Sequence, residues 1–134
     1  MRRAMLGLIV TAVAGLVLSV APAASASQSV TWQGNGLDSV SLCVKGQNTP
    51  YLHWVLTPGG KPTPGTTAEL FINGHDVGTM APNGNQGALQ LTISVPVRVS
   101  VEKLEDASVH ADITAGSVGD NSVLTISDGC LCSY

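Results

Sequence analysis

Ala68-Glu69-Leu70-Phe71-Ile72-Asn73-Gly74-His75-Asp76-Val77-Gly78-Thr79 is the stretch whose reading decides the fold. Two short runs flank Asn73-Gly74. That dipeptide readily adopts the two positive φ angles of a type I′ turn, whose twist matches that of paired strands. The stretch therefore predicts a β-hairpin. Ala68–Ile72 would run antiparallel to His75–Thr79, with Leu70 opposite Val77.

Outward from the hairpin the same period of two recurs. Ser29–Gln33 alternates and Gly34-Asn35-Gly36 turns the chain. Val40, Leu42 and Val44 share one face of a second strand, and Leu52, Trp54 and Leu56 one face of a third. Downstream, Leu89, Leu91, Ile93 and Val95 alternate with Gln90, Thr92 and Ser94. Pro96 interrupts, which marks an edge, a bulge or a crossing between sheets. Val97, Val99 and Val101 resume the alternation against Arg98, Ser100 and Glu102. Val109, Ala111 and Ile113 give one more apolar face, and Val123–Ile126 the last strand. Glu102–Asp106 makes at most a short turn. Two stretches read as exposed loops, Pro58–Gly65 and Ala81–Gly87, because proline lacks the ladder donor and glycine lacks restraint. Seven to eight short strands separated by turns predict an all-β fold, an antiparallel immunoglobulin-like β-sandwich. A small β-barrel is the alternative.

The N-terminus carries an address. Arg2 and Arg3 form a positive start, Leu6–Val20 is apolar, and Ala24-Ser25-Ala26 fits the small-residue rule for signal peptidase. The apolar run falls short of the roughly 20 residues a membrane span needs. Residues 1–26 therefore read as a cleaved secretory signal peptide and 27–134 as a single domain. The product is expected in the extracellular medium or associated with the cell envelope, with no membrane contact after cleavage. The mature chain keeps four bases, Lys45, Lys61, Arg98 and Lys103, against nine acids, a net charge of −5. Nucleic acid is thereby disfavoured as a partner, since phosphate binding needs a basic face.

The three cysteines agree with export, because all lie in the mature part, where the compartment can oxidise them. Cys130 and Cys132 are two apart and point alike in a strand, so either could pair with Cys43. Cys43–Cys130 is the expected bridge, since Cys132 lies two residues from the terminus, where fraying opposes bridge geometry. Closing so long a loop stabilises by about 4–5 kcal/mol in the chain-entropy model. Cys132 is then a free thiol that can link two molecules into a disulfide dimer.

Chemistry is hard to place. His53, His75 and His110 fit no zinc spacing. Ser117 lies in Ala115-Gly116-Ser117-Val118-Gly119, which lacks the first glycine of a nucleophile elbow. Asp120, Asn121 and Asp128 do not make an EF-hand. Glu102, Glu105 and Asp106 are neighbours on a turn rather than acids facing across a cleft. The expectation is therefore no catalytic residue, no metal and no cofactor.

Thr49-Pro50-Tyr51-Leu52-His53-Trp54-Val55-Leu56-Thr57-Pro58, with Cys43 upstream and Ser127-Asp128-Gly129-Cys130 closing the chain, resembles small exported proteins of high-GC Gram-positive bacteria. The resemblance spans nearly all of the mature chain. It implies export and a β-sandwich, and it transfers no catalytic residue.

The expected function is a secreted, non-catalytic binding or structural module with an extracellular or cell-wall partner. Binding would fall to loops on a rigid scaffold, here Gly59, Gly60 and Lys61 together with Asn83, Asn85 and Gln86. Two other classes stand beside it. One is a small secreted hydrolase built on a histidine. The other is a self-assembling coat protein suggested by Leu89–Val101, against which Pro96 and Arg98 act as gatekeepers.

Overall fold

The computed structural model describes residues 28–44, 49–59, 64–82 and 87–132, so the expected signal peptide lies outside the described residues. Among the described residues, eight strands form in chain order. They are β1 (Ser29–Thr31), β2 (Val40–Leu42), β3 (Tyr51–Thr57), β4 (Thr67–Ile72), β5 (His75–Pro82), β6 (Leu89–Ser94), β7 (Val109–Ala115) and β8 (Val123–Leu131). One helical turn, α1 (Val101–Glu105), lies between β6 and β7, and a 3-10 turn, Leu37–Ser39, precedes β2.

The hairpin forms where the sequence puts it. Asn73 and Gly74 have φ of 51° and 83°, as a type I′ turn requires. Ile72 pairs with His75 and Phe71 with Asp76, after which the register slips and Leu70 faces Gly78 instead of Val77. The cause is local. The Asp76 carboxylate accepts a 3.0 Å hydrogen bond from the Gly78 N–H, and Gly78 takes φ 144°, which only glycine adopts readily. Val77 becomes the extra residue of a β-bulge.

The strands are hydrogen-bonded in the order β1-β7-β4-β5-β6-β3-β8-β2. This is one curled sheet, a half-barrel, and not the two separate sheets of an immunoglobulin-like sandwich. The reason is that β5 serves both halves. His75–Met80 run beside β4, while Ala81 and Pro82 pair with Gln90 and Leu89 of β6. The sheet is also mixed, because β2 lies parallel to β8.

Curling brings distant strands together around the core. Trp32, just past β1, meets Trp54 of β3 edge to face, with centroids 5.3 Å apart and planes at 84°. Leu52, Trp54 and Leu56 of β3 are buried, as are Val109, Ala111 and Ile113 of β7. In both strands the period of two in the sequence is the period of burial. Val40 is buried too, but Leu42 and Val44 are 46% and 68% exposed. These two sit where the chain leaves the sheet edge, so the apolar face expected there is only begun.

A second bulge sets the disulfide. Trp54 faces Ile126 and His53 faces Asp128, which leaves Ser127 unmatched. Leu124 and Ile126 are buried before the bulge; after it Gly129, Cys130 and Leu131 all are, and Gly129 shares its side of the sheet with its partner, the inward-facing Leu52. Cys130 is thereby placed on the outer face, opposite Ser41 and Tyr51. Cys43, two residues past Ser41, reaches it, and the Cys43–Cys130 bridge forms with Cα atoms 4.7 Å apart. Gly129 cannot carry a side chain, because a Cβ there would lie 2.6 Å from the Tyr51 carbonyl oxygen.

The alternation at Val97, Val99 and Val101 does not make a strand. The Val99 N–H bonds back to the Pro96 carbonyl at 3.0 Å, which closes a turn. Ser100 then caps α1, its hydroxyl accepting from the Lys103 N–H at 3.2 Å. Val97 is left 61% exposed.

Candidate functional site: a cleft where two strands part

Among the described residues, β5 and β6 pair at Ala81–Gln90 and Pro82–Leu89. From that point β5 stays with β4 and β6 stays with β3. The two strands diverge, and a cleft of about 430 Å³ opens between them. This volume is within the 300–1,000 Å³ usual for a small-molecule site.

Each wall has a sequence cause. Val77 lines the cleft from β5 as the residue displaced by the Gly78 bulge. Ile93 and Val95 line it from the β6 side. Leu52 and Leu104, both nearly inaccessible, close the bottom. The walls are apolar, while the mouth is basic. Arg98 and Lys103 line it from the segment after β6, and His75 from β5. No Asp or Glu is among its lining residues. Neither Arg98 nor Lys103 makes an ion pair with another described residue.

The cleft lies at the end of the sheet away from the loops expected to bind. Leu56 faces Leu89, so β3 ends toward Pro58 and β6 begins after Gly87 at one end of the sheet, whereas Tyr51 and Ser94 mark the other, where the cleft is. Ala81 and Pro82, expected in a loop, belong instead to β5, where the ladder to β6 holds them. Of the expected loop residues, Gly60, Lys61, Asn83, Asn85 and Gln86 lie outside the described residues. Gly59 is described and serves packing. A Cβ there would come within 2.5 Å of the Asn121–Ser122 backbone. Its φ of 66° also favours glycine.

The histidines fall in three places. On the outer face, His53 Nδ1 is 2.6 Å from Thr92 Oγ1 and Nε2 is 3.0 Å from Gln90 Oε1. His110 stacks on Phe71 and stands 3.6 Å from the Asp112 carboxylate. Ser29 donates to that same carboxylate at 2.8 Å. The acid here sits between hydroxyl and imidazole, the reverse of a nucleophilic triad, in which the histidine must reach the serine. His75 lines the cleft but hydrogen-bonds to no described serine, cysteine or carboxylate. Beside His53, the Tyr51 hydroxyl donates to Asp128 at 2.9 Å. That bond and the carboxylate's charge hold the phenol above its ordinary pKa of 10.0. Among the described residues no three of His, Cys, Asp and Glu converge as metal ligands. Cys132 is exposed and unpaired.

No family model, no curated protein and no solved structure matches the chain.

Proposed function

We propose that the protein is exported and acts as a non-catalytic binding module whose site is the cleft between β5 and β6. Export rests on Arg2-Arg3, the apolar Leu6–Val20 and Ala24-Ser25-Ala26. Two features of the fold support it. The Cys43–Cys130 bridge suits an oxidising compartment. Gln28, the second residue of the expected mature chain, is already bound on both sides of its amide. Its Nε2 donates to the Val118 carbonyl at 2.8 Å, and its Oε1 accepts from the Val118 N–H at 3.0 Å.

The observation that carries the binding reading is the parting of β5 from β6 around an apolar cavity. A cleft of that size bounded by half-buried side chains is costly to leave in water and gains by taking an apolar ligand. The test uses the uncharged fluorophore N-phenyl-1-naphthylamine. It should bind saturably at one site per chain, and Val77→Trp should abolish binding by filling the cleft. Absence of saturable binding, or equal binding to a folded Val77→Trp variant, contradicts the proposal.

A further inference from the structure

We infer that the ligand of the cleft is an amphiphile with one apolar chain and a single carboxylate head. This deepens the binding-module reading and rests on it. Three observations carry it.

The first is charge placement. The mature chain has only four bases against nine acids, yet Arg98 and Lys103, half of those bases, line this one cleft. His75 stands among its lining residues from the opposite wall. An acidic protein repels anions at long range, so a local cationic rim on an apolar cavity selects for an anion that is also apolar.

The second is that these charges are unspent. Neither Arg98 nor Lys103 is paired with a described carboxylate. Glu102, Glu105 and Asp106 lie on and beside α1 but are not among the lining residues. The cations are therefore available to a ligand.

The third is the form of the site. The depth is apolar down to Leu52 and Leu104, and the polar groups are confined to the mouth. That gradient fits a molecule with a polar end and an apolar body. Arginine and lysine pair with carboxylate and phosphate alike, but a mature chain of net charge −5 repels a doubly charged head more than a singly charged one. The mouth offers side-chain cations on a proline turn and a single helical turn, which suits a carboxylate.

The test is displacement of N-phenyl-1-naphthylamine from the purified protein by three ten-carbon chains: decanoate, decanol and decyltrimethylammonium. Decanoate should bind about five- to ten-fold tighter than decanol, as expected of two exposed cations, and decyltrimethylammonium weakest of all. Raised salt should erase the advantage of decanoate. Arg98→Glu/Lys103→Glu should invert the order, so that decyltrimethylammonium displaces the fluorophore best and decanoate least. If the three chains displace equally, or if the double variant keeps the preference for decanoate, the carboxylate inference is overturned and the binding reading stands. If the fluorophore itself never binds, both fall.

Discussion

Asn73 and Ser108 hold each other by two hydrogen bonds. The Asn73 N–H donates to the Ser108 carbonyl at 2.7 Å, and Asn73 Oδ1 accepts from the Ser108 N–H at 2.9 Å. The hairpin turn is thereby pinned to the chain leaving α1. Asn73 and Ala107 both line the cleft, so this clasp fixes the distance between two of its sides. Asn73→Gly keeps the φ of 51° accessible but removes the side-chain acceptor, and should cost about 0.5–1.5 kcal/mol. Asn73→Ala adds backbone strain and should cost more. Urea midpoints measure both; a Gly variant as stable as the wild type would deny the clasp.

The disulfide closes a separation of 87 residues. Replacing Cys43 and Cys130 together by alanine should lower stability by about 4–5 kcal/mol in the chain-entropy model. Cys132→Ser should leave the melting temperature unchanged and abolish any covalent dimer. Non-reducing peptide mapping gives a direct check, and a main Cys43–Cys132 or Cys130–Cys132 peptide would refute the pairing.

Tyr51 and Asp128 predict a titration. The chain has two tyrosines, so phenolate absorbance should rise in two steps, of which the Tyr51 step lies above 10.0. Asp128→Asn should lower that step, and Tyr134→Phe should leave it in place. The sign for stability follows. A phenol whose pKa is raised by folding stabilises the fold below its unfolded pKa, and this contribution is lost as pH rises through the folded value. Wild type should therefore lose more stability than Asp128→Asn between neutral pH and strongly alkaline pH. A Tyr51 step unmoved by the substitution would rule this out.

Export predicts a mature chain beginning at Ser27. Intact mass of the protein recovered from the medium should correspond to residues 27–134. A secreted product still carrying Met1 would reject the cleavage site.

The parts of the fold legible in the sequence are those governed by local pattern. The alternation in β3 and β7 is the alternation of their burial, and Asn73-Gly74 dictates its own turn. What escaped depends on single side chains acting out of pattern. Asp76 captures the Gly78 N–H and slips the hairpin by one residue. Ser127 is passed over in the β3–β8 ladder and reverses which residues face inward. Val97, Val99 and Val101 mimic a strand, but the Pro96 turn and the Ser100 cap divert them into a turn and α1. The site was less legible still. A cleft made by two strands parting has no motif, and its basic rim, Arg98 and Lys103, is spread over a segment that reads as a strand followed by a turn. The one available signal was Pro96, read as an edge, a bulge or a crossing between sheets, whereas it opens the turn that follows β6.

Ligand location in solution tests the central claim most directly. Backbone amide shifts of the isotope-labelled protein should be followed while decanoate is added. Saturable shifts should centre on Val77, Ile93, Ser94, Arg98, Lys103 and Ala107, all of which line the cleft. Shifts confined to the opposite end of the sheet, around Gly59, Gly65 and Gly87, would contradict the account and return the site to the loops.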